Sequence, residues 1–161
     1  MREVGTRAWR RPADAEDEAF VYAVFSSTWQ HAVAAMPNPA LTQHFLRIQY
    51  TAQERRFRTR YPDLERWVVM IGDEPAGRLY LHRSPTALHV VDLSLLPAHR
   101  GHGIGRALTR ELMAEATEQG LPITMRFART HDAVGRALRA GFRVVSEDDL
   151  ETHLEWTPPT S

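Results

Sequence analysis

Apolar residues recur along this chain with two periods, and the alternation between them outlines the fold. Gly5 to Arg10 reads as a short first strand, broken by Arg11-Pro12. Asp14 is then placed to cap a helix carrying Phe20, Val21, Val24 and Phe25 on one face. Met36-Pro37-Asn38-Pro39 interrupts the pattern. After it Leu41, Phe45, Ile48 and Ala52 recur at spacings of three and four, predicting a second helix with that apolar stripe running toward Arg60. Tyr61-Pro62 ends it. Trp67 to Ile71 is expected as a strand, Gly72-Asp73-Glu74-Pro75 as a hairpin turn and Gly77 to His82 as the return strand. Ser84-Pro85-Thr86 makes another turn, and Leu88 to Leu95 is the next strand.

From there helix and strand alternate. Gly103 to Gln119 predicts a helix with Ile104, Leu108, Leu112, Met113 and Ala116 on one face, stopped by Gly120. Leu121 to Ala128 reads as a strand, and Asp132 to Ala140 as a short helix closed by Gly141. Phe142 to Val145 and Leu150 to Trp156 are the final strands, and the tail Pro158-Pro159-Thr160-Ser161 is expected to fray. The order predicts a mixed α/β layer structure with one crossover in the middle. No repeat, low-complexity stretch or linker divides it, so residues 1–161 are expected to form one domain with its core at about 5–157.

Composition narrows the chemistry. All 20 basic residues are arginine, and they balance 20 acidic ones, so bulk charge points to no nucleic-acid partner. The absence of cysteine excludes disulfides, thiolate metal sites and a cysteine nucleophile, and it accords with a cytoplasmic location. No stretch approaches the ~18 apolar residues of a membrane span, and no signal peptide is expected. The eight histidines show no His-x-x-x-His spacing or carboxylate cluster, so no metal site is expected.

One junction carries a chemical signal. The strand ending at Leu95 runs through Arg100-Gly101-His102-Gly103-Ile104-Gly105 into a helix. Glycines at 101, 103 and 105 remove side chains where backbone must approach a ligand closely. Their amides and the free N–H groups of the new helix favour an anion, and Arg100 and Arg106 flank it. The same glycines can equally serve a tight strand-to-helix turn. A nucleoside-triphosphate loop is a poor match because it needs a lysine, and a dinucleotide fingerprint fails because position 106 is arginine.

The run Val91-Asp92-Leu93-Ser94-Leu95-Leu96-Pro97-Ala98-His99-Arg100-Gly101-His102-Gly103-Ile104-Gly105-Arg106-Ala107-Leu108 resembles the acetyl-CoA motif of the GNAT superfamily of N-acetyltransferases. The order of elements over roughly 5–157 resembles that fold too, which implies a single-domain mixed sheet of about seven strands flanked by about four helices. The resemblance implies acetyl-CoA as co-substrate, without a metal. Backbone amides from Arg100 through Gly101, His102, Gly103 and Ile104 to Gly105 would hold its diphosphate. The backbone of Leu93 and Leu95 would pair with the pantetheine arm. Homodimers are common among proteins of this resemblance.

Transfer to an amine needs the amine neutral, because free alkylamines have a pKa of about 10. Asp92, a carboxylate in the apolar run His89-Val90-Val91-Asp92-Leu93, is the candidate base, or else a surface or ion-paired aspartate. Tyr80 and His131 are lesser candidates, with ordinary packing as their alternative. The resemblance implies an Asn, and six residues later a Tyr, near the last helix; this chain has His131 and Ala137 there. His99 and His102 sit in the loop, where phosphate contact suits them better than proton transfer. On the acceptor side, Trp29, Gln30 and His31 are pocket candidates, with Trp29 equally suited to the core. The arginines at 55, 56, 58 and 60 read as a solvated face. The expected function is acetyl transfer from acetyl-CoA to a primary amine of a small molecule or peptide, by direct attack in a ternary complex. The alternative is a non-catalytic acyl-CoA-binding sensor or scaffold.

Overall fold

The computed structural model describes residues 7–129 and 131–160. Gly5 and Thr6, expected to open the first strand, and Ser161 of the tail lie outside the described residues. In chain order the elements are β1 (Ala8–Pro12), α1 (Glu18–Thr28), α2 (Gln30–Val33), α3 (Pro39–Arg60), β2 (Glu65–Ile71), β3 (Glu74–Arg83), β4 (Leu88–Leu95), α4 (Ile104–Gln119), β5 (Ile123–Ala128), α5 (Ala133–Arg139), β6 (Arg143–Glu147) and β7 (Glu151–Trp156). The strands form a seven-stranded sheet in the order β1-β2-β3-β4-β5-β7-β6. The β1–β2, β5–β7 and β6–β7 pairs are antiparallel, and β4–β5 is parallel. The parallel register runs from Leu88↔Ile123 to Val90↔Met125, and β4 continues beyond it to Leu95. Contacts divide the chain into two compact units. One comprises the residues up to Tyr80 with Asp92–Ile104, and the other Leu81–Val91 with the residues from Gly105 onward.

In the first unit, local sequence sets the helix starts. Asp14 accepts from the Glu16 N–H at 2.9 Å, and Asp17 accepts from the Asp14 N–H at 2.9 Å, a reciprocal cap that opens a short 3-10 turn before α1. Val21, Val24 and Phe25 on α1 are fully buried, each stabilising the fold by on the order of 1.5–3 kcal/mol. The Met36–Pro39 breaker doubles as a start signal. Asn38 Oδ1 accepts from the N–H groups of Ala40 (2.9 Å) and Leu41 (3.2 Å), and Pro39 takes the first helical position. The β2–β3 turn is shorter than its sequence suggests. Gly72 at φ +59° reverses the chain, so Glu74 and Pro75 already belong to β3.

The helix over 39–60 forms as expected, but its apolar stripe is not its buried face. Leu41 is 60% and Ile48 52% exposed, while Leu46, Tyr50 and Glu54 face inward. The inner side of α3 carries polar groups because their partners wait there, so a count of apolar residues alone selects the wrong side. Arg55, Arg56, Arg58 and Arg60 are exposed, as a solvated face requires.

The second unit follows its sequence pattern closely. Leu108, Leu112 and Ala116 form the buried stripe of α4, and Gly120 at φ +67° stops the helix. Ile123 and Met125 on β5 and Leu154 on β7 are buried, whereas β6, at the sheet's edge, is exposed along its length. A register shift separates Val144 from Ser146 where β6 meets β7. No helix among the described residues is long and apolar enough to cross a membrane.

One ion pair ties the start of α1 to β1. Asp17 takes two hydrogen bonds from Arg11, at 2.8 and 2.9 Å. Arg11 holds the Asp17 carboxyl down at about 2, from 3.8. A depressed carboxylate stabilises the fold above its unfolded pKa and loses that contribution as pH falls through the folded value. Asp17→Asn is therefore expected to cost on the order of 1–2 kcal/mol at pH 7, allowing for solvent around Arg11. In urea unfolding the gap between wild type and variant should narrow as pH drops from 4 toward about 2.

Candidate functional site

The loop between β4 and α4 opens with a 3-10 turn over Pro97–His99. Gly101 and Gly103 then sit at φ +79° and +81°, a region L side chains rarely adopt, so the turn itself demands glycine there. Gly105 is different. It lies in the first turn of α4, without a positive φ, and a Cβ on it would meet nothing within 4 Å. Neither backbone conformation nor packing inside the protein accounts for it. Open space also lies over Gly101 and Gly103. The first N–H groups of a helix have no acceptor within it, so the start of α4 carries free donors and positive potential. His102 and Arg106 are exposed beside it, and Ile104 is buried at 3% exposure, anchoring the turn. Arg100 folds back: its Nε donates to the Leu95 carbonyl at 3.0 Å and its Nη2 to Ser27 Oγ at 3.4 Å. His99 Nε2 lies 3.5 Å from Glu74 Oε2.

The first unit also contains a charged cluster joining α1, α3, β2, β3 and β4. Its centre is Arg78, 1% exposed. Arg78 Nε donates to Asp92 Oδ2 at 2.7 Å, and Nη2 donates to Gln53 Oε1 at 2.7 Å. Nη1 lies 3.6 Å from Glu54 Oε2 and 3.5 Å from the Tyr80 hydroxyl. Tyr80 OH donates to Glu54 Oε2 at 2.6 Å. Glu54 Oε1 has no well-directed hydrogen bond, yet Arg66 Nη2 lies 3.1 Å away, so charge attraction compensates it. Arg66 also pairs with Glu18 at 2.8 Å, and Glu18 accepts from Tyr50 OH at 3.1 Å.

Titration behaviour follows from this arrangement. Burial, with the Glu54 charge, pushes both the Tyr80 and Tyr50 hydroxyls well above the usual phenol range. Burial works against the Arg78 charge, but Asp92 leads the groups that outweigh it and raise its pKa. Burial likewise opposes the Glu18 charge, and Arg66 overcomes that to hold its carboxyl below the ordinary value.

Of the sequence-derived catalytic candidates, Asp92 and Tyr80 are brought together through Arg78. Asp92 is the ion-paired alternative and yet keeps a 22% exposed side chain. Both its hydrogen bonds fall on Oδ2, the second from Ser94 Oγ at 3.0 Å. Tyr80 is fully buried. His131 belongs to the second unit, where its Nδ1 accepts from the Ala133 N–H at 3.0 Å at the start of α5. Ala137 is buried, so α5 offers no hydroxyl there. Leu93 and Leu95 are half-buried on β4. Trp29 packs against Phe25 and Phe45 at 5.8 and 5.7 Å between ring centroids, while Gln30 and His31 are exposed.

Sequence reasoning missed Arg78, Gln53, Glu54, Arg66 and Ser94. A signal existed for Arg78, a lone charge within the otherwise apolar Ala76–Leu81 run. It also missed Gly77, whose Cβ would lie 2.3 Å from the Ser94 carbonyl oxygen, so only glycine lets β3 and β4 close at that point. Among the described residues, Asp148, Glu151 and His153 have ligand atoms within 4.8 Å of one another. Asp148 Oδ1 accepts from the N–H groups of Leu150 (2.8 Å) and Glu151 (2.7 Å) in the β6–β7 turn.

The two kinds of loop glycine should separate experimentally. Gly103→Ala is expected to lose roughly 1–2 kcal/mol from its left-handed backbone. Gly105→Ala should keep or gain stability, by up to roughly 0.5–1 kcal/mol. Urea unfolding of the free protein measures both, and a destabilised Gly105→Ala would mean that internal packing requires that glycine.

Comparison with known proteins identifies the fold and the family. Among solved structures, a PaiA N-acetyltransferase from Thermoplasma acidophilum in complex with coenzyme A aligns with a TM-score of 0.69 at 16% identity, covering 94% of this chain and 99% of its own. An acetyltransferase from Thermus thermophilus aligns with a TM-score of 0.67 at 19% identity, covering 95% and 98%. A GNAT family acetyltransferase from Elizabethkingia anophelis with acetyl-CoA bound aligns with a TM-score of 0.58 at 13% identity, covering 93% and 97%. At these identities the likeness shows a shared fold. No curated protein matches the sequence. The sequence model of the acetyltransferase (GNAT) family matches residues 21–142, from α1 to the start of β6, and the chain belongs to that family.

Proposed function

We propose that the protein transfers an acetyl group from acetyl-CoA to a primary amine, by direct attack in a ternary complex. The observation that carries this is Gly105, a helical glycine that nothing inside the protein requires, beside open space at the N-terminus of α4. Glycine there costs roughly 0.5–1 kcal/mol relative to alanine, and close approach of an anionic ligand to the backbone accounts for it. The residues fit a diphosphate. The Arg100 N–H is already given to the Pro97 carbonyl at 3.2 Å, so the amides from Gly101 to Gly105 would take the diphosphate, with the exposed His102 and Arg106 alongside in the chain.

Bound there, acetyl-CoA supplies an acetyl group activated as a thioester. Leu93 and Leu95 on β4 offer backbone groups to its extended arm, as an added strand would. The Leu95 carbonyl already accepts from Arg100 Nε and retains a second lone pair. A β4 amide would stabilise the oxyanion formed on attack. Asp92, partly exposed on the same strand, receives the amine proton directly or through water. Tyr80 and His131 are the lesser candidates, each already engaged elsewhere. Tyr80 donates inward to Glu54, and His131 Nδ1 is committed to α5. With Ala137 buried, the thiolate leaves without a phenol at that place.

The departures at 131 and 137, and the engagement of Asp92 with Arg78, favour one second reading: a module that binds acyl-CoA without turning it over. A screen of amines, amino acids, polyamines and peptides with a free-thiol readout decides between them. Turnover with at least one acceptor is expected. Calorimetric binding of CoA without turnover across the panel would establish the second reading, and no binding at all would remove both. Gly105→Leu should abolish CoA binding while the unfolding midpoint holds. Asp92→Asn should keep CoA affinity and lower kcat by roughly 10²-fold or more.

A further inference from the structure

We propose that Arg78 is a positioning residue for the Asp92 carboxylate, holding Oδ2 together with Ser94 so that Oδ1 alone receives the proton. This rests on Asp92 as the base. A carboxylate rotates broadly about its last torsion, and its two oxygens exchange places easily. Here Oδ2 takes a hydrogen bond from Arg78 Nε at 2.7 Å across from β3, and another from Ser94 Oγ at 3.0 Å on its own strand. Two donors on one oxygen remove that freedom and fix which oxygen is presented.

Arg78 can act as a fixed point because it is itself held on other sides. Nη2 is bound by Gln53 of α3 at 2.7 Å. Nη1 faces Glu54 Oε2 of α3 at 3.6 Å. Its guanidinium carbon lies 4.7 Å from the Tyr80 ring centroid and 5.9 Å from that of Phe25 on α1. At 1% exposure it cannot touch an acceptor. Of the side chains it holds, Asp92 is the one through which it acts on the reaction. The role also needs arginine in particular. The planar fork reaches Asp92 with one nitrogen and Gln53 with another, whereas an ammonium is a single point of charge. Lysine would keep the charge and lose the two-ended brace.

The test separates positioning from mere structure. In the free wild-type protein, ¹⁵N NMR should show a slowly exchanging Arg78 Nε–H resonance that moves in Asp92→Asn. With the best acceptor of the amine panel, Arg78→Lys should lower kcat by about tenfold and Ser94→Ala by about threefold. KM for acetyl-CoA should stay within about twofold in both. Ser94→Ala leaves the buried charges in place, so it reports even if Arg78→Lys folds poorly. In the Asp92→Asn background neither substitution should lower kcat further, since residues acting as one unit are not additive. Losses that multiply in the double variants would overturn the role while leaving Asp92 as base. So would single variants with unchanged kcat beside an impaired Asp92→Asn. Full turnover in Asp92→Asn, or no turnover with any acceptor, would remove the base and this role together.

Discussion

A guanidinium taken out of water must find its partners inside the fold, and Arg78 imposes that demand on the first unit. Losing one partner of such a buried pair typically costs about 3–5 kcal/mol, because the remaining charge stays desolvated. Gln53 and Glu54 must therefore face inward on α3, and Asp92 must meet them from β4. Arg66, Glu18 and Tyr50 extend the arrangement to β2 and α1. The polar inner side of α3 and the placement of its arginine run in solvent follow from that demand.

The same cluster gives the carboxylate on β4 a surrounding unlike an ordinary surface acid. Asp92 is anchored by Arg78 and remains partly exposed. Beyond it the chain passes through Leu95 to the glycine loop, where Arg100 ties the loop back to β4 and to Ser27 of α1. Within this unit, the strand that bears the carboxylate and the loop that presents backbone donors form one continuous segment, braced at both ends by arginine. The GNAT family match spans that segment. The departures at His131 and Ala137 lie outside it, in the second unit.

Much of the architecture was legible because it is local. The Asp14 cap, the Asn38-Pro39 start, the Gly120 stop and the α4 stripe of Leu108, Leu112 and Ala116 each depend on residues a few positions apart. Strand β4 was read with its observed ends. The reading failed where a partner came from far along the chain. Leu41 and Ile48 announced a helix and then turned out to be exposed, since Tyr50 and Glu54 had long-range partners in Glu18, Arg66 and Tyr80. Gly77 looked like an ordinary strand glycine until Ser94 was set against it.

What the sequence determined by itself was the order of elements apart from the short α2, the glycine loop after β4 and the exclusion of lysine-dependent and cysteine-dependent chemistry, all matters of local spacing or of composition. It could place Asp92 on a strand but could not choose between a free carboxylate and an ion-paired one. Tertiary structure decided that, by bringing Arg78 from 14 positions away and Gln53 from 25 positions beyond that onto one side of the sheet. It also distinguished the loop glycines, two required by backbone geometry and Gly105 by neither geometry nor internal packing. A side chain's surroundings belong to the folded chain, because desolvation and hydrogen bonding depend on neighbours in space that adjacency in sequence does not specify.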